Sequence, residues 1–83
     1  MKIYLIQFED SGIPEEPEIL LDNNATIERI DTLAEKQNIS EELEKEEWEE
    51  YVSELSEFRT FERDCFSVAI NDDTTIRAWR KDL

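Results

Sequence analysis

The chain is predicted to fold as one two-layer α+β domain over residues 1–83, an antiparallel sheet of three or four strands packed on two helices. Three observations predict it. β-Branched and aromatic residues fill one end, Lys2 to Phe8, and apolar and polar residues alternate at the other, from Cys65 to Arg80. Apolar residues at helical spacing fill the middle, from Ala25 to Lys36 and from Glu41 to Phe61. A chain of 83 residues supports a single core that buries about 60–65% of its unfolded surface, and no second domain.

Lys2 to Phe8 is rich in β-branched and aromatic residues, with Ile3 and Leu5 on one side and Tyr4, Ile6 and Phe8 on the other, so it reads as a strand buried on much of both faces. Glu9 to Pro17 holds the only glycine, Gly12, and both prolines, which marks a loop. Glu18 to Leu21 is short enough to be a second strand or an extended lead-in to a helix; the strand is the preferred reading. Asp22, Asn23 and Asn24 supply N-caps for a first helix from Ala25 to Lys36, whose Ile27, Ile30, Leu33 and Ala34 share one face. Gln37 and Asn38 end it. Ser40, followed by Glu41 and Glu42, begins a second helix predicted to run from Glu41 to about Phe61, because carboxylates in a first turn complement the helix dipole. Its apolar stripe is Leu43, Trp48, Tyr51, Val52, Leu55 and Phe58, with a gap at Glu47. Two alternating runs around Asn71-Asp72-Asp73-Thr74 make a C-terminal β-hairpin.

Charge excludes more function classes than any motif does. Twenty-three Asp plus Glu stand against nine Lys plus Arg, a net charge of −14 with no histidine and a pI near 4.1. Direct binding to nucleic acid or to an anionic membrane is therefore not expected. Without an imidazole the usual general base is missing, one glycine cannot build a phosphate loop, and carboxylate pairs are too abundant to mark a site. The reading is of a protein that is not an enzyme and needs no cofactor or metal. Cys65, the only cysteine, allows no disulfide within the chain and is expected to be a small buried apolar residue. Core packing is the preferred reading of Trp48 and Trp79, and Trp48, set among glutamates, also has the look of an interface anchor. No apolar run approaches the roughly 20 residues of a membrane span, and no signal peptide is evident, so the cytoplasm is the expected compartment. The sequons at Asn24 and Asn38 read as helix-start residues.

From Ser40 to Glu57 nine glutamates face a single lysine, Lys45, a net of −8 over eighteen residues. As one helix this segment spans about 27 Å, with a carboxylate roughly every 3 Å, close to the phosphate spacing of one DNA strand. A solvated face kept for solubility is the plainer reading, but such a face normally intersperses lysines. Here Glu42/Glu46, Glu46/Glu50 and Glu50/Glu54 are like-charge neighbours that each cost about 0.2–0.5 kcal/mol in a helix. The residues expected to bind a partner are accordingly Glu42, Glu46, Glu47, Glu49, Glu50, Glu54 and Trp48.

In size, pI and aromatic content the whole chain resembles the small acidic inhibitor proteins of bacteriophages, including DNA-mimic anti-restriction proteins and several anti-CRISPR proteins. The resemblance implies a stoichiometric inhibitor, acting in the host cytoplasm, that occupies the basic nucleic-acid-binding surface of a host nuclease or CRISPR effector. An immunity protein or antitoxin against a basic nuclease toxin would carry the same acidic face. A small adaptor subunit would instead use Trp48, Tyr51 or Trp79 for an apolar contact. Self-repulsion at −14 predicts a monomer when the protein is free.

Overall fold

The computed structural model describes all residues, Met1 to Leu83, and has the predicted two-layer α+β architecture. Strands β1 (Lys2–Asp10), β2 (Ile13–Pro14) and β3 (Glu18–Leu20) precede helices α1 (Asn23–Lys36), α2 (Ile39–Glu42) and α3 (Lys45–Arg59), and the hairpin β4 (Cys65–Asn71) and β5 (Thr74–Asp82) closes the chain. All pairings are antiparallel: β5 lies between β1 and β4, while the far side of β1 pairs with β2 at its end and with β3 nearer its start. The sheet thus has five strands rather than three or four. The extra one is the two-residue β2, which forms because Ser11 and Gly12 both take positive φ, 55° and 76°, the geometry a tight hairpin turn requires. The segment read as a loop from Glu9 therefore contains a minimal hairpin.

One face of the sheet packs on the helices. Tyr4 and Ile6 of β1, Phe66, Val68 and Ile70 of β4, and Ile76 and Ala78 of β5 meet Ile27, Ile30 and Ala34 of α1 and Tyr51, Leu55 and Phe58 of α3 in a single core. The opposite face is open, as a single helical layer dictates for an antiparallel sheet. Strict alternation in β4 places Cys65, Ser67 and Ala69 on that open face, so Cys65 is exposed rather than buried. Trp79 shares this face and stays outside the core, across from Leu5 on one side and Cys65 on the other.

Local signals explain the helix ends. The Asp22 carboxylate accepts from the Ala25 amide at 2.9 Å, which caps α1 two residues earlier than the predicted start at Ala25. Asn38 follows α1 in the left-handed conformation (φ 56°), one that asparagine tolerates. The largest departure from expectation is that the acidic segment is two helices. At about 100° per residue, a continuous helix would turn Leu43 about 80° away from Tyr51 and Ile39 farther still, stranding both among glutamates. Breaking the helix at an extended Leu43 (φ −88°, ψ 139°) lets Ile39 and Leu43 both bury. α3 then ends at Arg59, short of the predicted Phe61, because Glu62 donates its amide to the Glu57 carbonyl and Phe61 to Phe58. This double closure puts Phe61 itself at φ 66°.

Arg80 is the one charged side chain within the core layer, 3% exposed. Its guanidinium carbon lies 4.2 Å from the Phe58 ring centre and 4.4 Å from that of Phe61. It donates to the Phe58 carbonyl, and its Nη1 is 3.9 Å from Asp64 Oδ1. Cation–π attraction and that charge-assisted bond offset part of its desolvation, while its Nε and Nη1 stay buried without a hydrogen-bond partner.

Candidate functional site

The acidic segment is built on α2, the Leu43 break and α3. Glu44 occupies the N-cap of α3, and the Glu47 carboxylate turns back to accept the Glu44 amide at 3.1 Å, one arm of a capping box. The helix start is therefore set by two of the glutamates themselves. Seven carboxylates, Glu41, Glu42, Glu44, Glu46, Glu47, Glu49 and Glu50, are all exposed, and none forms an ion pair within the fold. Farther along α3 the situation changes: Arg63 lies 3.5 Å from Glu54 and 3.0 Å from Glu57 and neutralises that end of the helix. The Glu57 hydrogen bond is the main reason the Arg63 pKa is raised.

The structure divides the residues expected to bind a partner. Glu42 ends α2 and is separated from Glu46 by the break, so these two are not helical neighbours and the repulsion expected between them does not arise through a shared helix. Glu46 and Glu50, and Glu50 and Glu54, remain i,i+4 pairs on α3. With fifteen residues, α3 is about 22 Å long, and its unpaired acid is concentrated in the first two turns rather than spread over 27 Å. Glu47, Glu50 and Glu54 fall on the flank next to β4, where with Tyr51, Ser67 and Ala69 they line a groove of about 220 Å³. Trp48, 37% exposed, sits on the other flank with Val52, which lies outside the core although the apolar stripe included it. The two border a shallow depression of about 590 Å³ together with Glu49 and Glu57. Sequence reasoning missed Val52 as a surface residue; its signal was the i,i+4 spacing from Trp48 at the margin of the stripe.

Tyr51 anchors this region from below. Its ring packs 5.5 Å from Trp48 and 5.8 Å edge-on to Phe66, and its hydroxyl donates to Asp31 Oδ1 at 3.3 Å. Burial first, then the Asp31 charge and hydrogen bond, raise its pKa above the ordinary value. With the folded value raised, the unfolded chain loses this proton first, so the stability Tyr51 contributes is fully present below about pH 10 and falls as the pH rises beyond it. In an ultraviolet titration, the Tyr51 phenolate is expected to appear only as the protein unfolds, and Tyr51→Phe to move that alkaline transition to higher pH. Reversible ionisation of Tyr51 at its ordinary pKa, with circular dichroism unchanged, is the contrary result.

No group of three or more Cys, Asp or Glu side chains is placed to hold a metal ion, and no helix is long and apolar enough to cross a membrane. Comparison of the chain with protein-family models, with curated proteins and with solved structures gives no match.

Proposed function

We propose that the protein is a non-catalytic, stoichiometric inhibitor that covers the basic nucleic-acid-binding surface of a host nuclease or CRISPR effector, as the small acidic phage inhibitors it resembles do. The observation that carries this reading is the run of seven exposed carboxylates from Glu41 to Glu50 with no internal cation partner. A fold under selection for stability alone has a simple remedy in scattered lysines, and here only Lys45 interrupts the run. The unpaired charge produces a field that steers a basic surface inward, and the adjoining Trp48 and Val52 supply the apolar contact around which such charge forms a rim. This is a compact acidic patch with an aromatic anchor, and it competes with phosphate by charge rather than by tracing a duplex.

The test is affinity capture from lysate of the cells in which the protein acts, with elution by a salt gradient, followed by titration of the captured protein's complex with labelled DNA or RNA. The expected result is a nucleic-acid-binding protein that elutes at moderate salt and releases its nucleic acid at one equivalent of inhibitor. Partners that do not bind nucleic acid, or that remain bound at about 1 M salt, where charges are screened beyond about 3 Å, overturn the reading in favour of an apolar adaptor.

A further inference from the structure

We propose that the free edge of β4 is a docking site for an extended, Lys- or Arg-bearing segment of a partner protein, which adds to the sheet as a further strand. The Arg80 amide donates to the Asp64 carbonyl at 3.0 Å, fixing Asp64 and Arg80 as a hydrogen-bonded pair. The register continues as Cys65 opposite Trp79, Phe66 opposite Ala78, Ser67 opposite Arg77 and Val68 opposite Ile76. Hydrogen-bonded and non-hydrogen-bonded pairs alternate in an antiparallel ladder, so Phe66 and Val68 turn their backbone groups to β5. Cys65, Ser67 and Ala69 turn theirs outward, and β4 has no partner on that side. Such an edge is a template for another chain unless it is blocked. No proline or bulge lies between Cys65 and Ala69, and no lysine stands anywhere in β4.

What flanks the edge selects the occupant. On the helical side the groove is walled by Glu47, Glu50 and Glu54, the last already engaged by Arg63. An added strand presents alternate side chains to this wall, and cations there meet the unpaired Glu47 and Glu50. The intervening side chains lie on the open face beside Ser67, Arg77 and Trp79, where polar or apolar residues fit, and because Arg63 stands at the Cys65 end of the same surface, the partner's cations belong at the Glu47 and Glu50 end. A second copy of this chain is the disfavoured occupant, since edge-to-edge pairing brings two acidic walls together in a molecule of charge −14. A basic segment makes these contacts whether or not its parent protein binds nucleic acid.

The probe is the blocked heptapeptide Lys-Thr-Lys-Thr-Lys-Thr-Lys, titrated into the isotope-labelled protein at low salt. Its control replaces each Thr by Pro, which keeps the charge and removes the amides that would face β4. Binding is expected to shift the Cys65, Ser67 and Ala69 amides and slow their hydrogen exchange about tenfold or more at saturation. The proline peptide, the Ser67→Pro variant and the Glu47→Gln/Glu50→Gln double variant are each expected to weaken binding about tenfold. Ser67→Pro removes an outward donor on an edge strand; should it fail to fold, the proline peptide, which leaves the protein unaltered, carries the same test of the edge, and the glutamine pair, which preserves the cap, tests the acidic wall. Absence of binding, equal binding of both peptides with shifts confined to α3, or concentration-dependent shifts of the three amides without peptide each overturn the proposal. Glu47 and Glu50 belong to both readings, so the edge itself is read by the Cys65, Ser67 and Ala69 amides, the proline peptide and Ser67→Pro, none of which alters the carboxylates that nucleic-acid release reads.

Discussion

Phe58→Ala is expected to destabilise the domain by about 3–5 kcal/mol, the range for truncating a fully buried aromatic. At roughly 0.05–0.15 kcal/mol per residue, a chain of 83 residues has about 4–12 kcal/mol to lose. Phe58 is 0% exposed and lies where α3 crosses the sheet, and its ring is one of the faces on which the buried Arg80 guanidinium rests. Removal leaves both a cavity and a buried cation with less to hold it. The urea midpoint is therefore expected to fall by about a quarter or more, at an unchanged slope. Phe61 offers the matched comparison, because it covers the same guanidinium from a half-exposed position at positive φ. Phe61→Gly loses two cation–π contacts, to Arg80 and Lys2, of about 0.5–1 kcal/mol each and relieves a left-handed backbone conformation that costs a non-glycine residue about 1–2 kcal/mol, so it is expected to be nearly neutral. Equal losses in the two variants would assign the stability to the stacked cation rather than to burial of Phe58.

The layers and the order of the elements were legible because each rests on local periodicity. Period two in Cys65 to Arg80 and period 3.6 in Ile27, Ile30 and Ala34 need no knowledge of the partner element. The break at Leu43 was legible only in outline. A gap at Glu47 in the apolar stripe signalled that one helix could not bury Leu43 and Tyr51 together, yet choosing between a gap and a break requires the position of Ile39, which only the tertiary packing fixes. The same limit applies to Cys65 and Trp79. Alternation separates two faces of a strand but does not tell which faces receive helices, and with only one helical layer the face bearing both residues stays open. Of the candidate site, the sequence carried the charge but favoured the core for Trp48, which the structure places 37% exposed. It could not show that Arg63, beyond the end of α3, folds back to neutralise Glu54 and Glu57, because that contact depends on the turn at Phe61. The free edge of β4 was equally hidden, since strand order is a property of the sheet.

Reversing charge at three positions, Glu46→Lys, Glu49→Lys and Glu50→Lys together, is expected to abolish partner binding while leaving the fold intact. These side chains are exposed and unpaired, and lysine is as good a helix former as glutamate, so far-UV circular dichroism should not change. Glu47 is spared because its carboxylate caps α3, and Glu54 because Arg63 holds it; reversing either would confuse lost binding with a damaged helix. The substitution changes the local charge by six units and inverts the field that a basic surface meets on approach. Single reversals are expected to cost less than about 1 kcal/mol each, since exposed charges act collectively. Salt distinguishes the mechanism within the same series. For the unmodified protein, raising salt to about 0.5 M, where screening acts within a few ångströms, should slow association while raising the melting temperature by relieving repulsion among the glutamates. In the triple variant both responses should shrink together, because one set of unpaired carboxylates causes both. If the variant retains its partner while its melting temperature loses the salt dependence, the charge is shown to be a cost borne by the fold alone. Trp48 and Val52 then become the contact that matters, and the protein is an adaptor rather than an inhibitor of nucleic-acid binding.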